Sequence, residues 1–439
     1  MAPSSSLMLS IVGAPLQLVW FLYDAAAETP TPTLFLIFVS FVALAFALIY
    51  IALHVAAPKP RLPYPSEKTY ITTNPDGTVS KPRPLPCWYD RWHAESRLKE
   101  QSSSPSNTSY PTIPAGFPVP DFGTVEPAEV EISVVIPAYN EAERLIPTLE
   151  EMVTYLDENF GRPVTSTGSS SRPTSKGAGT PKPHRNVFKD ACARRNPPTG
   201  YEILLINDGS TDRTVDVALE FSRKHNLHDI LRIVTLEKNR GKGGGVTHGL
   251  RHVRGEYAVF ADADGASRFT DLGKLIEGCE DVVDGSNRGV AIGSRAHLVG
   301  SEAVVKRSAI RNFLMRSFHF VLMILTPPAT SRIRDTQCGF KLFSRAALPH
   351  IVPYMHTEGW IFDIEMLMLA ESAPATPVLA SDGSVIGTSY GIKVAEVPID
   401  WHEVGGSKVN IITDSVKMAI GLAVLRASWM LGVYRRRLA

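Results

Sequence analysis

Cysteine is scarce in this chain. Four occur in 439 residues (Cys87, Cys192, Cys279 and Cys338), widely separated and with no C-x-x-C pair. That spacing argues against a disulfide framework or a cysteine zinc site, and it suits a reducing compartment for the main domain. An excess of one charge is lacking too: 45 Lys and Arg face 44 Asp and Glu, a net charge of +1. No global basic field is therefore available to attract nucleic acid. There is no G-x-x-x-x-G-K-[ST] phosphate loop and no internal repeat. What remains is a chain with 44% hydrophobic and 20% charged residues. That is enough apolar material for a sizeable core, in one large domain with appendages or in two domains.

Residues 34–53 read LFLIFVSFVALAFALIYIAL, without a charge. About 20 apolar residues in a helix cross the ~30 Å hydrocarbon layer of a bilayer. A cleaved signal peptide needs a basic leader and a shorter apolar stretch, whereas the preceding residues carry Asp24 and Glu28 and no Lys or Arg. The run is read as a retained transmembrane helix. Lys59, Arg61 and Lys68 follow it, so the positive-inside rule places the C-terminal bulk in the cytosol. Residues 7–23 are also apolar but are broken by Gly13 and Pro15; an interfacial placement and packing beside the first helix both stay open.

Residues 58–128, rich in Pro, Ser and Thr, read as a linker with little fixed structure, ordered at most locally around Trp88, Tyr89 and Trp92. Asn107-Thr-Ser fits the N-glycosylation pattern, which a cytosolic location leaves idle. Globular patterning begins with the strand-like Ile132–Ile136, ended by Pro137 and followed by a helix over 141–159. Residues 161–200 hold almost no large apolar side chains and read as a disordered insert. Strand 203–206, helix 214–225, strand 231–236, helix 243–253 and strand 257–261 then alternate. Such alternation implies a parallel sheet covered by helices.

Three loops that follow strands carry unusual chemistry: Pro137-Ala-Tyr-Asn-Glu141, Asn207-Asp-Gly-Ser-Thr-Asp212 and Asp262-Ala-Asp264-Gly265. In an open α/β sheet such loops share the edge where ligands bind. Two carboxylates at i and i+2 can hold a divalent cation against a diphosphate, since magnesium takes a few carboxylates, phosphate oxygens and water. Asp208 can accept hydrogen bonds from a base or ribose, while Ser210 or Asp212 can equally cap the next helix. Asn239-Arg-Gly-Lys-Gly-Gly-Gly245, with Lys242 inside it, brings glycines and a helix N-terminus that suit phosphate.

Ser133 to Glu141, Asn207 to Asp212 and Asp262-Ala-Asp264 resemble the signature of family-2 inverting glycosyltransferases of the GT-A fold. Asn239 to Gly244, Asp335-Thr-Gln-Cys-Gly-Phe-Lys341, Gly359-Trp-Ile-Phe-Asp363 and Trp401-His-Glu-Val-Gly-Gly-Ser-Lys408 narrow the resemblance to the dolichyl-phosphate β-glucosyltransferase family, over roughly residues 130–417. The implied fold is α/β, a Rossmann-like, mostly parallel sheet flanked by helices. The implied plan is a membrane-anchored N-terminal segment (1–56), a linker (57–129), a catalytic domain (130–410) and a C-terminal amphipathic helix with a basic tail (411–439).

The implied reaction joins UDP-glucose and dolichyl phosphate to give dolichyl β-D-glucosyl phosphate and UDP, on the cytosolic face of the endoplasmic reticulum membrane, with Mg2+ or Mn2+. By the same resemblance Pro137, Tyr139, Glu141, Ile206 and Asp208 border the nucleoside. Lys242 contacts the donor, and Asp262 and Asp264 hold the metal. Arg295, His402 and Lys408 meet phosphates, with His402 standing where mannosyl-transferring relatives keep an arginine. Asp363 and Lys341 complete the catalytic set, Asp363 orienting a sugar hydroxyl or the Lys341 cation, or serving as a helix cap.

Residues 310–325 and 411–433 mix basic and apolar side chains, and Arg435-Arg-Arg437 follows. They read either as interfacial amphipathic helices or as core-packed ones. A mannosyl or GlcNAc transferase on the same lipid, an inactive membrane scaffold and a soluble nucleotidyltransferase are the competing readings. Oligomeric state is not legible.

Overall fold

The computed structural model describes residues 29–103, 125–163, 198–298, 320–379, 385–404 and 411–434. The chain divides into two compact units, one of Pro58–Arg426 and one that joins the N-terminal stretch through Ala57 with Ala427–Tyr434.

Helix α1, Thr31–Ala56, carries the uncharged run and is long and apolar enough to cross a membrane. At 1.5 Å per residue its 26 residues extend about 39 Å. Its large side chains point outward, Phe35, Phe38 and Phe41 among them. A helix apolar all round needs either a core or lipid.

In the larger unit the main sheet is built from β1 (Val130–Ala138), β2 (Tyr201–Asn207), β3 (Leu231–Thr235), β4 (Gly255–Ala261), β5 (Val290–Ser294), β6 (Phe340–Ser344) and β7 (Val394–Pro398), beside two small two-stranded sheets. They form one seven-stranded sheet in the order β7-β5-β6-β4-β1-β2-β3. β4, β1, β2 and β3 run parallel, as do β5 and β7, while β6 lies antiparallel between β4 and β5. Every residue of β2 is buried, as expected for a strand covered on both faces. The alternation of the first half of the domain thus gives the parallel half of the sheet. The other half, β5 to β7, does not show in the sequence pattern, because its strands stand more than 40 residues apart in sequence.

Helix α3 (Leu145–Asn159) buries Leu145, Leu149, Met152, Val153 and Leu156, an i, i+4, i+7, i+8, i+11 stripe that seals one sheet face. Helix α5 (Gly241–Leu250) covers the other face unusually closely. A Cβ at Gly249 would lie 2.4 Å from Val135 Cγ1, so only glycine lets this helix rest on β1. Each glycine in a helix interior costs about 1 kcal/mol relative to alanine; close packing on the sheet offsets it. Helices α4 (Thr214–Lys224) and α6 (Leu272–Val282) share the core on the α3 side, whereas α7 (Phe362–Glu371), nine of whose ten residues are buried, packs through Phe362 against Phe260 and Gly243 of α5.

The linker reading of residues 58–128 is corrected for its first half. Pro65–Lys68 forms a 3-10 turn, Trp88–Ser103 is helix α2, and Glu67, Tyr70, Thr72, Thr73, Leu85, Trp88 and Trp92 are buried. Ile71 exchanges two backbone hydrogen bonds of 2.9 Å with Ile233 on the edge strand β3, and Thr72 Oγ1 donates to Leu231 O at 2.8 Å. An exposed sheet edge is covered in this way. The segment has no period of 2 or 3.6 because it is an extended strap, anchored at irregular intervals. Residues 104–124 lie outside the described residues, as do 7–23, most of the 161–200 insert and the Arg435–Arg437 tail.

Of residues 310–325, 320–325 are described and are helical, with Phe320, Met323 and Ile324 each about three-fifths exposed. Helix α8 (Ile411–Met430) buries Leu422, Leu425 and Ser428 while Val416, Ile420 and Met430 stay exposed. It has both a packed stripe and an outward apolar one.

Candidate active site

Because β4, β1 and β2 are adjacent and parallel, the loops after them open on one edge of the sheet. The first two are laced together. Asn140, held at φ 53°, accepts the Thr211 N–H on its side-chain oxygen at 2.8 Å, and its own N–H donates to Ser210 Oγ at 3.0 Å. Asp212 accepts the Thr214 N–H at 3.0 Å and the Ala142 N–H at 3.1 Å. Asp212 thus serves the helix start and the neighbouring loop. Tyr139 stands 39% exposed at the rim, and Pro137 lies half-buried beneath it.

Asp208 sits at the bottom of this corner, 3% exposed. Its Oδ1 accepts the Arg240 N–H at 2.6 Å, and its carbonyl accepts Asn239 Nδ2 at 3.0 Å. Burial pushes its carboxyl up to about 6, although the N–H groups of Arg240 and Gly241 oppose the shift. Glu141 does not stand alone: its carboxylate takes Arg144 Nη2 at 2.8 Å, and Arg144 Nη1 lies 4.0 Å from Asp264. Arg144 therefore links the first loop to the third.

In that third loop Asp262 forms an ion pair with Lys242 Nζ at 2.6 Å, reaching across from the first turn of α5. Burial lowers the affinity of Lys242 for its proton, but Asp262 and then Asp363 outweigh this and hold it above the usual lysine range. Asp264 accepts the Ala266 N–H at 3.1 Å; burial, and next the Asp262 charge, raise its carboxyl above the ordinary range. Thr148 Oγ1 of α3 donates to Ala263 O at 3.1 Å, fixing the turn between the two carboxylates. No third His, Cys, Asp or Glu joins them into a complete metal cage among the described residues. Two hard oxygen donors, one already drawing a cation, fit an ion of the magnesium or manganese class that takes its other ligands from a diphosphate and water.

Below this edge Lys341 and Asp363 form a fully buried ion pair, with Lys341 Nζ also donating to Cys338 O at 2.6 Å and lying 5.2 Å from the Phe260 ring centre. Burial raises the Asp363 carboxyl, against the pull of Lys341 and Lys242. No side-chain hydrogen bond caps α7, so Asp363 meets the cation and is not a helix cap. The two side chains of the pair are 0% and 4% exposed, so in this structure it lies beneath the edge and does not open onto it. The direct role for Lys341 is corrected accordingly. Ile206 is corrected as well: its side chain is 0% exposed and lies beneath Gly245 and Gly249 of α5.

Arg295, at the end of β5, grips Asp335 through Nε at 2.7 Å and Nη2 at 2.8 Å, with its guanidinium 5.6 Å from the Trp401 ring centre. Burial disfavours its charge, but Asp335 outweighs that and raises it further. His402 has an exposed side chain, and its N–H donates to Ala266 O at 3.0 Å. The Trp401-His402 stretch is thereby seated against the Asp262–Asp264 loop. Lys408 lies outside the described residues. Arg144, Arg240, Gly339 and Glu358 belong to this edge and were not singled out in the sequence. The i to i+3 spacing of Glu141 and Arg144 is one signal for them, and the place of Arg240 and Gly339 within the Asn239–Gly245 and Asp335–Lys341 motifs is another.

Residues 185–349 match the family model "Glycosyl transferase family 2". Over 417 residues the chain is 35% identical to a dolichyl-phosphate beta-glucosyltransferase of Saccharomyces cerevisiae, covering 93% of this chain and 96% of that protein. Proteins of the same name from Drosophila melanogaster and Homo sapiens are 35% and 34% identical, each over 70% of this chain and over 77% and 78% of their own lengths.

Proposed function

Because this chain belongs to the dolichyl-phosphate β-glucosyltransferase family, we propose that it transfers glucose from UDP-glucose to dolichyl phosphate with inversion, giving dolichyl β-D-glucosyl phosphate and UDP. Its seven-stranded sheet between helical layers is of the GT-A class, as the motifs imply. The observation that carries the reading is the convergence of Asp208, Lys242, Asp262 and Asp264 on one sheet edge, with the Trp401-His402 stretch docked beside it.

Tyr139 and Asp208 receive the uracil nucleoside, and Lys242 leaves Asp262 to meet the diphosphate. Asp262 and Asp264 would hold a magnesium or manganese ion, which supplies positive charge to the departing diphosphate. An oxygen of dolichyl phosphate attacks the anomeric carbon, the bond from that carbon to the UDP oxygen breaks, and UDP leaves with the electron pair. A phosphate monoester is already anionic near pH 7, so no strong general base is required. The rate then comes from alignment and charge. Arg295, held by Asp335, and His402 line the side from which the acceptor phosphate enters.

Helix α1 anchors the enzyme in the endoplasmic reticulum membrane, and the basic residues after it favour a cytosolic catalytic domain. The exposed apolar side chains of residues 320–325 and of α8 face lipid, where the acceptor lies. A donor panel on the purified full-length protein tests the reading. UDP-glucose is expected to yield labelled dolichyl phosphosugar, and activity with GDP-mannose alone overturns it.

A further inference from the structure

The geometry points to Glu67 as a positioning residue for the donor nucleotide, acting through Arg240. The inference rests on the reading of Asp208 as part of the nucleoside pocket.

Glu67 lies in the strap that follows α1 in sequence, within the Pro65–Lys68 turn, and is 0% exposed. It is tied on every side. Oε2 accepts Arg240 Nη2 at 2.7 Å and the Tyr64 N–H at 2.9 Å; Oε1 accepts the Glu237 N–H at 3.0 Å. Its carbonyl oxygen lies 2.9 Å from His248 Nε2 of α5. Arg240, 5% exposed, also donates to the strap at Arg61 O (3.1 Å) and Leu62 O (2.9 Å), and its Nη1 lies 3.7 Å from Glu358 Oε1. The backbone N–H of this same Arg240 reaches the Asp208 carboxylate at 2.6 Å. One residue thus has its side chain locked into the strap and its main chain locked onto the nucleoside pocket.

The strap also reaches the loop before α7. Arg61 pairs with Glu358, whose carbonyl accepts the Gly244 N–H at 3.2 Å. A buried carboxylate opposite a buried guanidinium fixes the Asn239–Gly245 turn by charge and by a charge-assisted hydrogen bond that water cannot replace. With Glu67 neutralised, Arg240 loses its 2.7 Å charge partner and keeps only the more distant Glu358 carboxylate, 3.7 Å from Nη1, so the guanidinium shifts and carries its N–H away from Asp208. The site is therefore complete only with the juxtamembrane strap in place, which makes the strap part of the donor site and more than a tether.

The test titrates UDP, with magnesium present, into full-length wild type, Glu67→Gln and the Glu67→Met/Arg240→Met double variant, and sets the affinities beside steady-state kinetics. Loss of one charge-assisted contact is expected to weaken UDP about tenfold and to raise KM for UDP-glucose by the same factor. The kcat at saturating donor and KM for dolichyl phosphate should stay within about twofold, since a transition-state contact would have moved kcat. Wild-type UDP affinity in Glu67→Gln, or a fall in kcat with KM for the donor unchanged, overturns the proposal. If Glu67→Gln gives no cooperative melt, the double variant, which removes both members of the pair, decides by the same criteria. Failure of the wild type to bind UDP sinks the donor assignment instead; the variants are then compared with whichever nucleotide the wild type does bind.

Discussion

Asp262 and Gly339 approach so closely that no side chain fits between them. A Cβ on residue 339 would lie 1.9 Å from Asp262 Oδ2 and 2.3 Å from its Cγ, while Asp262 N–H donates to Gly339 O at 3.2 Å. Gly339→Ala must therefore push the Asp262 carboxylate out of line. A misplacement of about 1 Å at a reacting centre costs on the order of 100-fold in rate. Initial rates and thermal melts of Gly339→Ala should show that loss with the fold retained; wild-type rates would remove Asp262 from the mechanism.

Lys341 and Asp363 are each other's main charge partner in the core. Breaking such a pair from one side costs about 3–5 kcal/mol, whereas replacing both members with apolar groups is often neutral. Lys341→Met and Asp363→Leu should each lower the denaturation midpoint strongly, and the double variant should recover most of it. Activity should stay low in all three, because the layer beneath the edge has changed. Full activity in a refolded double variant would assign the pair to stability alone.

Asp208 gives a pH dependence with a definite sign. Burial lifts its carboxyl from 3.8 to about 6 in the folded protein. The folded state then binds that proton more tightly than the unfolded chain. Its contribution to stability is fully present below 3.8 and is lost as pH rises through about 6. Asp208→Asn should melt higher than wild type without nucleotide at pH 7.5, by about 2–4 °C for each kcal/mol relieved. The gap should close as pH falls through 6, while KM for the donor, which needs the ionised carboxylate, should climb over the same interval in the wild type alone. A melting gap that does not change with pH would contradict the account.

Asp262 and Asp264 as metal ligands are open to a direct check. Chelation should silence the enzyme and added Mg2+ or Mn2+ should restore it. Asp264→Ala should bind Mn2+ about 10–100-fold more weakly by electron paramagnetic resonance and lose turnover. Undiminished Mn2+ binding by that variant would place the ion elsewhere.

Much of this was legible in the chain itself. The parallel half of the sheet announced itself through compact alternation, and the loop carboxylates through their place after buried-type strands. β5 to β7 were not seen, because an antiparallel strand inserted after a long connection leaves no local period. The strap reads as a linker for a related reason: Glu67, Thr72 and Trp88 are held by partners far away in sequence, and its Pro- and Ser-rich composition resembles a flexible tether. Ile206 and Lys341 stand in motifs beside residues of the sheet edge, yet the burial of β2 and β6 turns them inward. Gly339 shows the converse, since its importance lies in the carboxylate facing it and not in its own chain.

The central claim, that this sheet edge delivers glucose from UDP-glucose to a lipid phosphate with inversion, is tested most directly by nuclear magnetic resonance of the product. Purified full-length protein would be supplied with UDP-glucose labelled with carbon-13 at the anomeric position, dolichyl phosphate in detergent and Mg2+. The account expects a single new anomeric signal of β configuration, coupled to phosphorus, appearing as UDP accumulates and absent with Asp264→Ala. An α-configured phosphosugar, or free glucose with no lipid product, would contradict it.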